Sequence, residues 1–182
     1  PEWLKAGRNT IATAARPFSI HMEPEPVYLL GDFNMKSIEK GFALVPSTPL
    51  KLGPWREQGR PLYADRIAYS QTYSIEAGSG KQHAVELGDW KGTAARVDVN
   101  GKTAGYILWQ PWRLDITQAL QPGENTVTVV VFGSLKNLLG PHHAGELRGS
   151  AWPGSFWQHP KEGQPSGDKY DTIGYGLNQP FV

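Results

Sequence analysis

The chain has 182 residues, with 18 Lys and Arg against 17 Asp and Glu, so its formal net charge is +1. This length fits one large domain, or one domain and a fragment, with a core that needs no crosslinks. The lack of a basic block argues against a nucleic-acid partner. No apolar run approaches the ~20 residues of a membrane-inserted helix, and the absence of cysteine excludes disulfides and thiolate chemistry.

The beginning of the chain repeats a stretch from its centre. "LKAGRNTIATA" (Leu4–Ala14) and "LQPGENTVTVV" (Leu120–Val130) share Leu, Gly, Asn and Thr at the same spacing. Glycine permits a tight turn, and asparagine can bond the local backbone before a β-branched run enters a sheet. We therefore expect residues 1–20 to be a terminal strand segment from an upstream sandwich repeat, and residues 21–182 to be the main sandwich. The alternative is a general strand-initiating turn used twice in one domain.

Hydrophobic residues recur with a period of two, which predicts strands. Short candidates are "VYLL" (27–30) and "FALV" (42–45). In "IAYSQTYSI" (67–75) the large side chains share one face, with Gln71 as the polar member, and "QHAVEL" (82–87) alternates in the same way.

The second half of the chain continues this pattern. "ARVDVNGK" (95–102) ends in Asn100-Gly101, the preferred pair for a type I′ hairpin. "NTVTVVVF" (125–132) predicts a central strand buried on both faces. "TIGYGL" (172–177) is the last candidate.

Helical signals are weak. In "DITQAL" (115–120), Thr117 is placed to cap one short turn. Many short strands separated by Gly and Pro predict an all-β fold, and their uneven spacing favours a jelly-roll-like β-sandwich over a barrel. The long irregular stretches 46–63 and 133–170 are expected to be functional or to form interfaces.

These stretches carry a family resemblance. "VYLLGDF", "VELGDWKGTAARVDVNGKTAG", "DITQALQPGENTVTVVVFGSLKNLLGPHH" and "YGLNQP" follow one another in an order that resembles the galactose-binding-like β-sandwich of bacterial glycoside hydrolases. The chain is similar to the sugar-binding-domain modules of glycoside hydrolase family 2. "NLLGPHH" resembles the C-terminal modules of the α-L-rhamnosidase-like enzymes of family 106.

The resemblance implies a non-catalytic accessory domain beside a separate catalytic domain that acts on a complex polysaccharide. It implies carbohydrate or that catalytic domain as the partner, and a bacterial periplasmic or extracellular location. A free-standing carbohydrate-binding module and a structural spacer or adhesion module are the alternatives. A self-contained enzyme is also considered, but it would require two close carboxylates. Asp98 and Asp115 look structural, so no catalytic residue is assigned.

Aromatic side chains are the main functional signal, because sugar rings stack on Trp. Trp152 and Trp157, with His142 and His143 of "GPHHAGE", are predicted to form a sugar-binding or interface patch, and Trp55 is a further candidate. Trp90 is expected near the core, and Trp109 and Trp112, which flank Pro111, to plug one end of the sandwich. The two histidines with Glu146 could instead bind a metal or only loop backbone. No cofactor or metal is assigned, although a structural calcium ion is possible in this fold.

Overall fold

The structure is a computed structural model that describes residues 5–14, 16–17, 19–21, 29–76, 80–139 and 166–182. The chain divides into two compact units, Pro1–Gly31 and Asp32–Val182. The described residues of the first unit contain no strand. No helix in the described part of the chain is long and apolar enough to span a membrane.

The second unit is built from strands. In chain order they are β1 Phe33–Ser37, β2 Phe42–Pro46, β3 Arg66–Ile75, β4 Ala84–Glu86, β5 Trp90–Lys91, β6 Ala94–Val99, β7 Lys102–Ile107, β8 Arg113–Asp115, β9 Gly123–Phe132 and β10 Gly176–Leu177. The helical segments are the 3₁₀ turns Trp55–Gln58, Thr117–Ala119 and Gly167–Lys169 and the short helix α1, Lys136–Leu139. The prediction of an all-β sandwich with few helices is confirmed.

One large antiparallel sheet organises this unit. Its strand order is β3-β9-β6-β7, and the shorter pairs are β4-β8, β5-β10 and the β1-β2 hairpin. The core joins residues of the large sheet to Val85, Leu177 and Phe181 of the short strands and the C-terminus. Leu114 of β8 packs so closely on Gly105 of β7 that a Cβ there would lie 2.9 Å from its side chain.

The inner face of the large sheet consists of cross-strand rows. One row is Ile67, Val131, Ala95 and Ile107, and the next is Tyr69, Val129, Val97 and Gly105. The alternation predicted for β3 and β6 is therefore confirmed. The ten-residue strand β9 is central, as predicted, but both of its faces are buried only in its second half, where Val129, Val130 and Val131 follow one another.

Gln71 is the polar member of the inner face, and the protein bonds both ends of its amide. Its Nε2 donates to the carbonyl of Phe181 at 3.3 Å, and its Oε1 accepts the Tyr73 hydroxyl at 2.9 Å. Because a buried polar group costs free energy only when it is unpaired, this side chain is compatible with the core.

Asn100 and Gly101 form the predicted type I′ turn, with φ of 51° and 77°. The side chain of Asn100 reaches β9: its Nδ2 donates to Asn125 Oδ1 at 2.9 Å, and its Oδ1 accepts the Thr126 N–H at 2.9 Å. Asn125 is fully buried, and its side chain closes the turn at the start of β9 by bonding the backbone of Gln121 and Gly123. One polar cluster thus fixes the start of β9 and the β6–β7 hairpin together.

Three local expectations need correction. Leu29 and Leu30 of "VYLL" lie outside any strand, and residues 27–28 fall outside the described residues. Only Gly176–Leu177 of "TIGYGL" is a strand, because the backbone of Ile173 is bonded by the Asn137 side chain instead. Thr117 begins its 3₁₀ turn and does not cap it, since its hydroxyl accepts the N–H of His83.

We predict that Asn125→Ala lowers the free energy of unfolding by about 2–4 kcal/mol, because it leaves several buried donors and acceptors without partners. Urea denaturation followed by fluorescence measures the change. Thr72→Ala, at an exposed position of β3, is the control and should change stability by less than ~0.5 kcal/mol. A loss below about 1 kcal/mol for Asn125→Ala would contradict the importance of this cluster.

Candidate functional site

Four of the five residues predicted as a sugar-binding or interface patch lie outside the described residues. These are His142, His143, Trp152 and Trp157. Their prediction therefore stays a prediction.

Trp55, the fifth residue, lies in the core with 1% of its surface exposed. Its indole N–H donates to the Tyr69 hydroxyl at 2.7 Å. The rings of Tyr63 and Tyr175 lie 5.7 and 6.0 Å away, between centroids. A ring enclosed in this way offers no face on which a sugar can stack. The choice of Trp55 as a sugar-binding or interface candidate is corrected for this reason: its side chain belongs to the core.

The Trp55 cluster, which consists of Trp55, Tyr63, Tyr69 and Tyr175, connects the long stretch 46–63 to the C-terminal segment. The backbone N–H of Trp55 donates to the Tyr175 carbonyl at 2.8 Å, and Gly53 N–H donates to the Leu177 carbonyl at 2.7 Å. The Tyr175 hydroxyl bonds Ser134 Oγ at 2.6 Å. In this part of the loop, the aromatic residues therefore stabilise the fold by binding the loop to the C-terminal segment.

Trp90 and Trp112 form a second aromatic pair at the edge of the core. Their ring centroids lie 5.3 Å apart with nearly perpendicular planes, and both are half-buried and pack on the core. The expectation that Trp90 lies near the core is met, and Trp112 packs on the core as well. Trp109 does not plug an end of the sandwich, because 72% of its surface is exposed.

Two residues close to Trp109 in the sequence are also exposed. Tyr106 near the end of β7 and Leu108 beyond it are 56% and 49% exposed. We call Tyr106, Leu108 and Trp109 the β7 aromatic edge. The sequence from Thr103 to Trp112 contains no charged residue. Arg96 of β6 lies opposite Tyr106 and pairs with Asp98 at 2.8 Å. The sequence signal was the alternation around Ile107, whose burial turns its neighbours outward.

Several carboxylates of the second unit are held in structural contacts. Asp98 pairs with Arg96 at 2.8 Å and accepts the Thr103 hydroxyl at 2.8 Å. Asp171 pairs with Lys136 at 2.8 Å, and the same Lys136 ammonium also donates to the Asp171 carbonyl. These contacts hold both carboxylates against structural partners.

The pKa values of two further carboxyl groups are lowered. The Thr117 hydroxyl, and then its backbone N–H, hold the pKa of Asp115 below its ordinary value. The Ser166 side chain and the backbone N–H of Asp168 itself, with a contribution from Ser37, lower the pKa of Asp168. A glycosidase acid needs the opposite shift. The backbone N–H of Thr117 donates to Asp115 Oδ1 at 2.8 Å.

Two cavities lie beside the 3₁₀ turn Thr117–Ala119. One of about 250 Å³ has a mixed lining of polar residues, such as Gln82 and Asp115, and apolar residues, such as Ile116. The other, of about 170 Å³, is mostly apolar and is bordered by Phe181 and His83, whose Nε2 is buried without a hydrogen-bond partner. Both are smaller than the ~300 Å³ at which small-molecule pockets usually begin.

No group of three or more His, Asp or Glu side chains suited to a metal occurs among the described residues. Calcium ligands in proteins often include backbone carbonyls. Structural calcium therefore remains a prediction from the family resemblance.

Comparison with solved structures identifies a shared fold. A rhamnosidase from Novosphingobium sp. PP1Y matches 88% of this chain with a TM-score of 0.50 and 20% identity. The match covers 16% of that enzyme. At this identity the likeness shows the fold alone.

Two β-glucuronidases are similar over a smaller region. The enzyme from Bifidobacterium dentium, complexed with coumarin-3-O-glucuronide, has a TM-score of 0.38 and 23% identity over 55% of this chain and 18% of its own. The enzyme from Dictyoglomus thermophilum has a TM-score of 0.37 and 17% identity over 56% of this chain and 18% of its own. No protein-family model matches the sequence, and no curated protein matches it.

The two tryptophans Trp55 and Trp109 should respond in opposite ways to truncation. We predict that Trp55→Ala costs about 3–5 kcal/mol of stability, because it leaves a large cavity and removes the hydrogen bond to the Tyr69 hydroxyl. Trp109→Ala should cost less than ~0.5 kcal/mol. Urea denaturation measures both, and a large loss for Trp109→Ala would show that its ring is packed.

Asp115 should contribute to stability only while it is ionised. Because folding lowers its pKa, this contribution is present above the unfolded pKa of about 4 and is lost as pH falls through the folded pKa. We predict that Asp115→Asn makes the melting temperature fall less between pH 6 and pH 3 than in the wild type. Glu39→Gln, at an exposed position, is the control. If the melting temperature of Asp115→Asn fell as much as that of the wild type between pH 6 and pH 3, the assignment would be contradicted.

Proposed function

We propose that this chain is a non-catalytic accessory β-sandwich domain of a multi-domain glycoside hydrolase that acts on a complex polysaccharide. The observation that carries the proposal is the size of the match: 88% of this chain corresponds to 16% of a rhamnosidase. One sandwich of this kind is thus a small part of a much larger enzyme. The motifs "VNGK" and "NLLGPHH" support the same class.

The contacts of four described carboxylates support a non-catalytic role. Glycoside hydrolysis uses two carboxyl groups about 5–10 Å apart, one of them with a raised pKa. Asp98 and Asp171 are committed to cations, and the pKa values of Asp115 and Asp168 are lowered. The chemistry would belong to a separate catalytic domain, which is the partner we propose. A periplasmic or extracellular location belongs to the same proposal.

A second candidate function is carbohydrate binding, which the β7 aromatic edge favours. An exposed Trp ring stacks on the apolar face of a pyranose, and the 72% exposure of Trp109 leaves its ring accessible. Because Arg96, which lies opposite Tyr106, is already paired with Asp98, the ligand that we propose is a neutral sugar. The exposed amide of Gln110 is placed beside Trp109 in sequence to bond hydroxyl groups.

A binding titration distinguishes these two functions. The purified chain is titrated with neutral polysaccharides and methyl glycosides of rhamnose, galactose and glucose, followed by calorimetry and Trp fluorescence. The accessory function predicts no saturable binding at millimolar sugar. Saturable binding that Trp109→Ala abolishes, and that Leu52→Ala at another exposed position leaves intact, would establish the second function instead.

The accessory function also predicts that the chain does not release nitrophenol from 4-nitrophenyl glycosides of the same sugars. The measurement is absorbance over hours at high protein concentration. Turnover that survives repurification would overturn the non-catalytic assignment.

A further inference from the structure

The apolar cavity beside Phe181 is a pocket built from five separate parts of the chain. Its volume is about 170 Å³. Val182 at its border is 76% exposed, so the pocket reaches the surface there. We call it the His83 pocket. Its apolar side chains belong to β3, β4, β9, the segment around the 3₁₀ turn Thr117–Ala119 and the C-terminal segment: Ile75, Val85, Val127, Ile116, Leu120 and Phe181.

The volume of the pocket determines the size of a ligand. Pockets for drug-sized molecules begin at ~300 Å³. An apolar cavity of ~150 Å³ engineered into another protein stays free of water and binds benzene. The His83 pocket has a similar volume of about 170 Å³, so it has space for one aromatic ring and not for two.

The wall of the pocket favours an aromatic ligand over an aliphatic one. Tyr73 and Phe181 both border the pocket, and their ring centroids lie 6.5 Å apart with planes tilted by 52°. Aromatic rings attract one another in tilted arrangements beyond the effect of burial alone. Burial also raises the pKa of the Tyr73 hydroxyl, which agrees with surroundings that are poor in water.

His83 adds one polar atom to these surroundings. Its Nε2 is buried and has no hydrogen-bond partner among the described residues. The backbone of His83 is fixed separately, because its N–H donates to Thr117 Oγ1 at 2.8 Å and its carbonyl accepts the Ile116 N–H at 2.9 Å. A buried nitrogen without a partner costs free energy. A hydroxyl group suits it in either tautomer, since a hydroxyl both donates and accepts.

We propose that the His83 pocket binds a small phenol, with its aromatic ring among the apolar side chains and its hydroxyl group bonded to His83 Nε2. The ligand is uncharged, because the described side chains that line the pocket include no carboxylate, Lys or Arg. A sugar does not suit this lining, since several of its hydroxyl groups would lose water without gaining partners. The neighbouring polar cavity shares only Ile116 with the pocket. This inference is independent of the proposed function.

Calorimetric titration of the 182-residue chain with phenol and with toluene tests the proposal. Phenol should bind saturably at millimolar concentration, and toluene measures the contribution of a ring without a hydroxyl group. In His83→Leu, the affinity for phenol should fall about fivefold or more relative to that for toluene, because only phenol loses a hydrogen bond. The proposal is overturned by a lack of saturable phenol binding, or by an equal change for both ligands in His83→Leu.

Variants that fill the pocket show where the ligand binds. Val127→Phe and Leu120→Trp each place a larger side chain at the pocket and should abolish the binding of both ligands. Circular dichroism identifies the variants that fold. Gln118→Ala is the control and should leave both affinities unchanged, because Gln118 borders only the neighbouring polar cavity. Phenol binding that persists in a folded filling variant would show that the ligand lies elsewhere.

Methyl NMR spectra provide a measurement that needs no variant of the pocket. Titration of the unmodified chain with phenol should shift the methyl resonances of Leu120 and Val127, which line the pocket. Those of Leu44 and Leu52, at exposed positions outside it, should stay in place. Shifts confined to residues outside the pocket would contradict the proposal.

Discussion

The fully buried amide of Asn125 is the constraint on which the second unit depends. It closes the turn that starts β9, and Asn100 joins it to the β6–β7 hairpin. Because β9 lies between β3 and β6, the register of three strands depends on where it begins. A slip of one residue would turn the inward valines of β9 to the outer face and leave Asn125 buried without partners.

Elements fixed by local chemistry could be predicted from the sequence. The alternation of β3, the Asn100-Gly101 turn and the β-branched run of β9 each give a signal within ten residues. Elements fixed by distant partners could not. "TIGYGL" reads as a strand, but Asn137 and Trp55 take the backbone bonds that a longer strand would need. The cap assigned to Thr117 failed because His83, 34 residues away, uses its hydroxyl.

The same division applies to the candidate site. Composition marks the tryptophans as important, but the environment of each depends on contacts distant in sequence. Trp55 is enclosed because Tyr69 and Tyr175 meet around it, whereas Trp109 follows the last residue of an edge strand and stays exposed. The turn that occurs twice is the reverse case, because its glycine and asparagine were sufficient to predict its geometry. Gly7 and Gly123 both have φ of 92°, and Asn9 and Asn125 each accept the backbone N–H four residues earlier.

The non-catalytic role is tested most directly by locating the activity. The 182-residue chain and a gene product that lacks residues 32–182 would be assayed separately on the same 4-nitrophenyl glycosides, with circular dichroism to show that both are folded. An accessory sandwich predicts that all hydrolysis resides in the product without residues 32–182, because the catalytic carboxylates belong to another domain. Hydrolysis by the 182-residue chain, with none in the folded remainder, would contradict it.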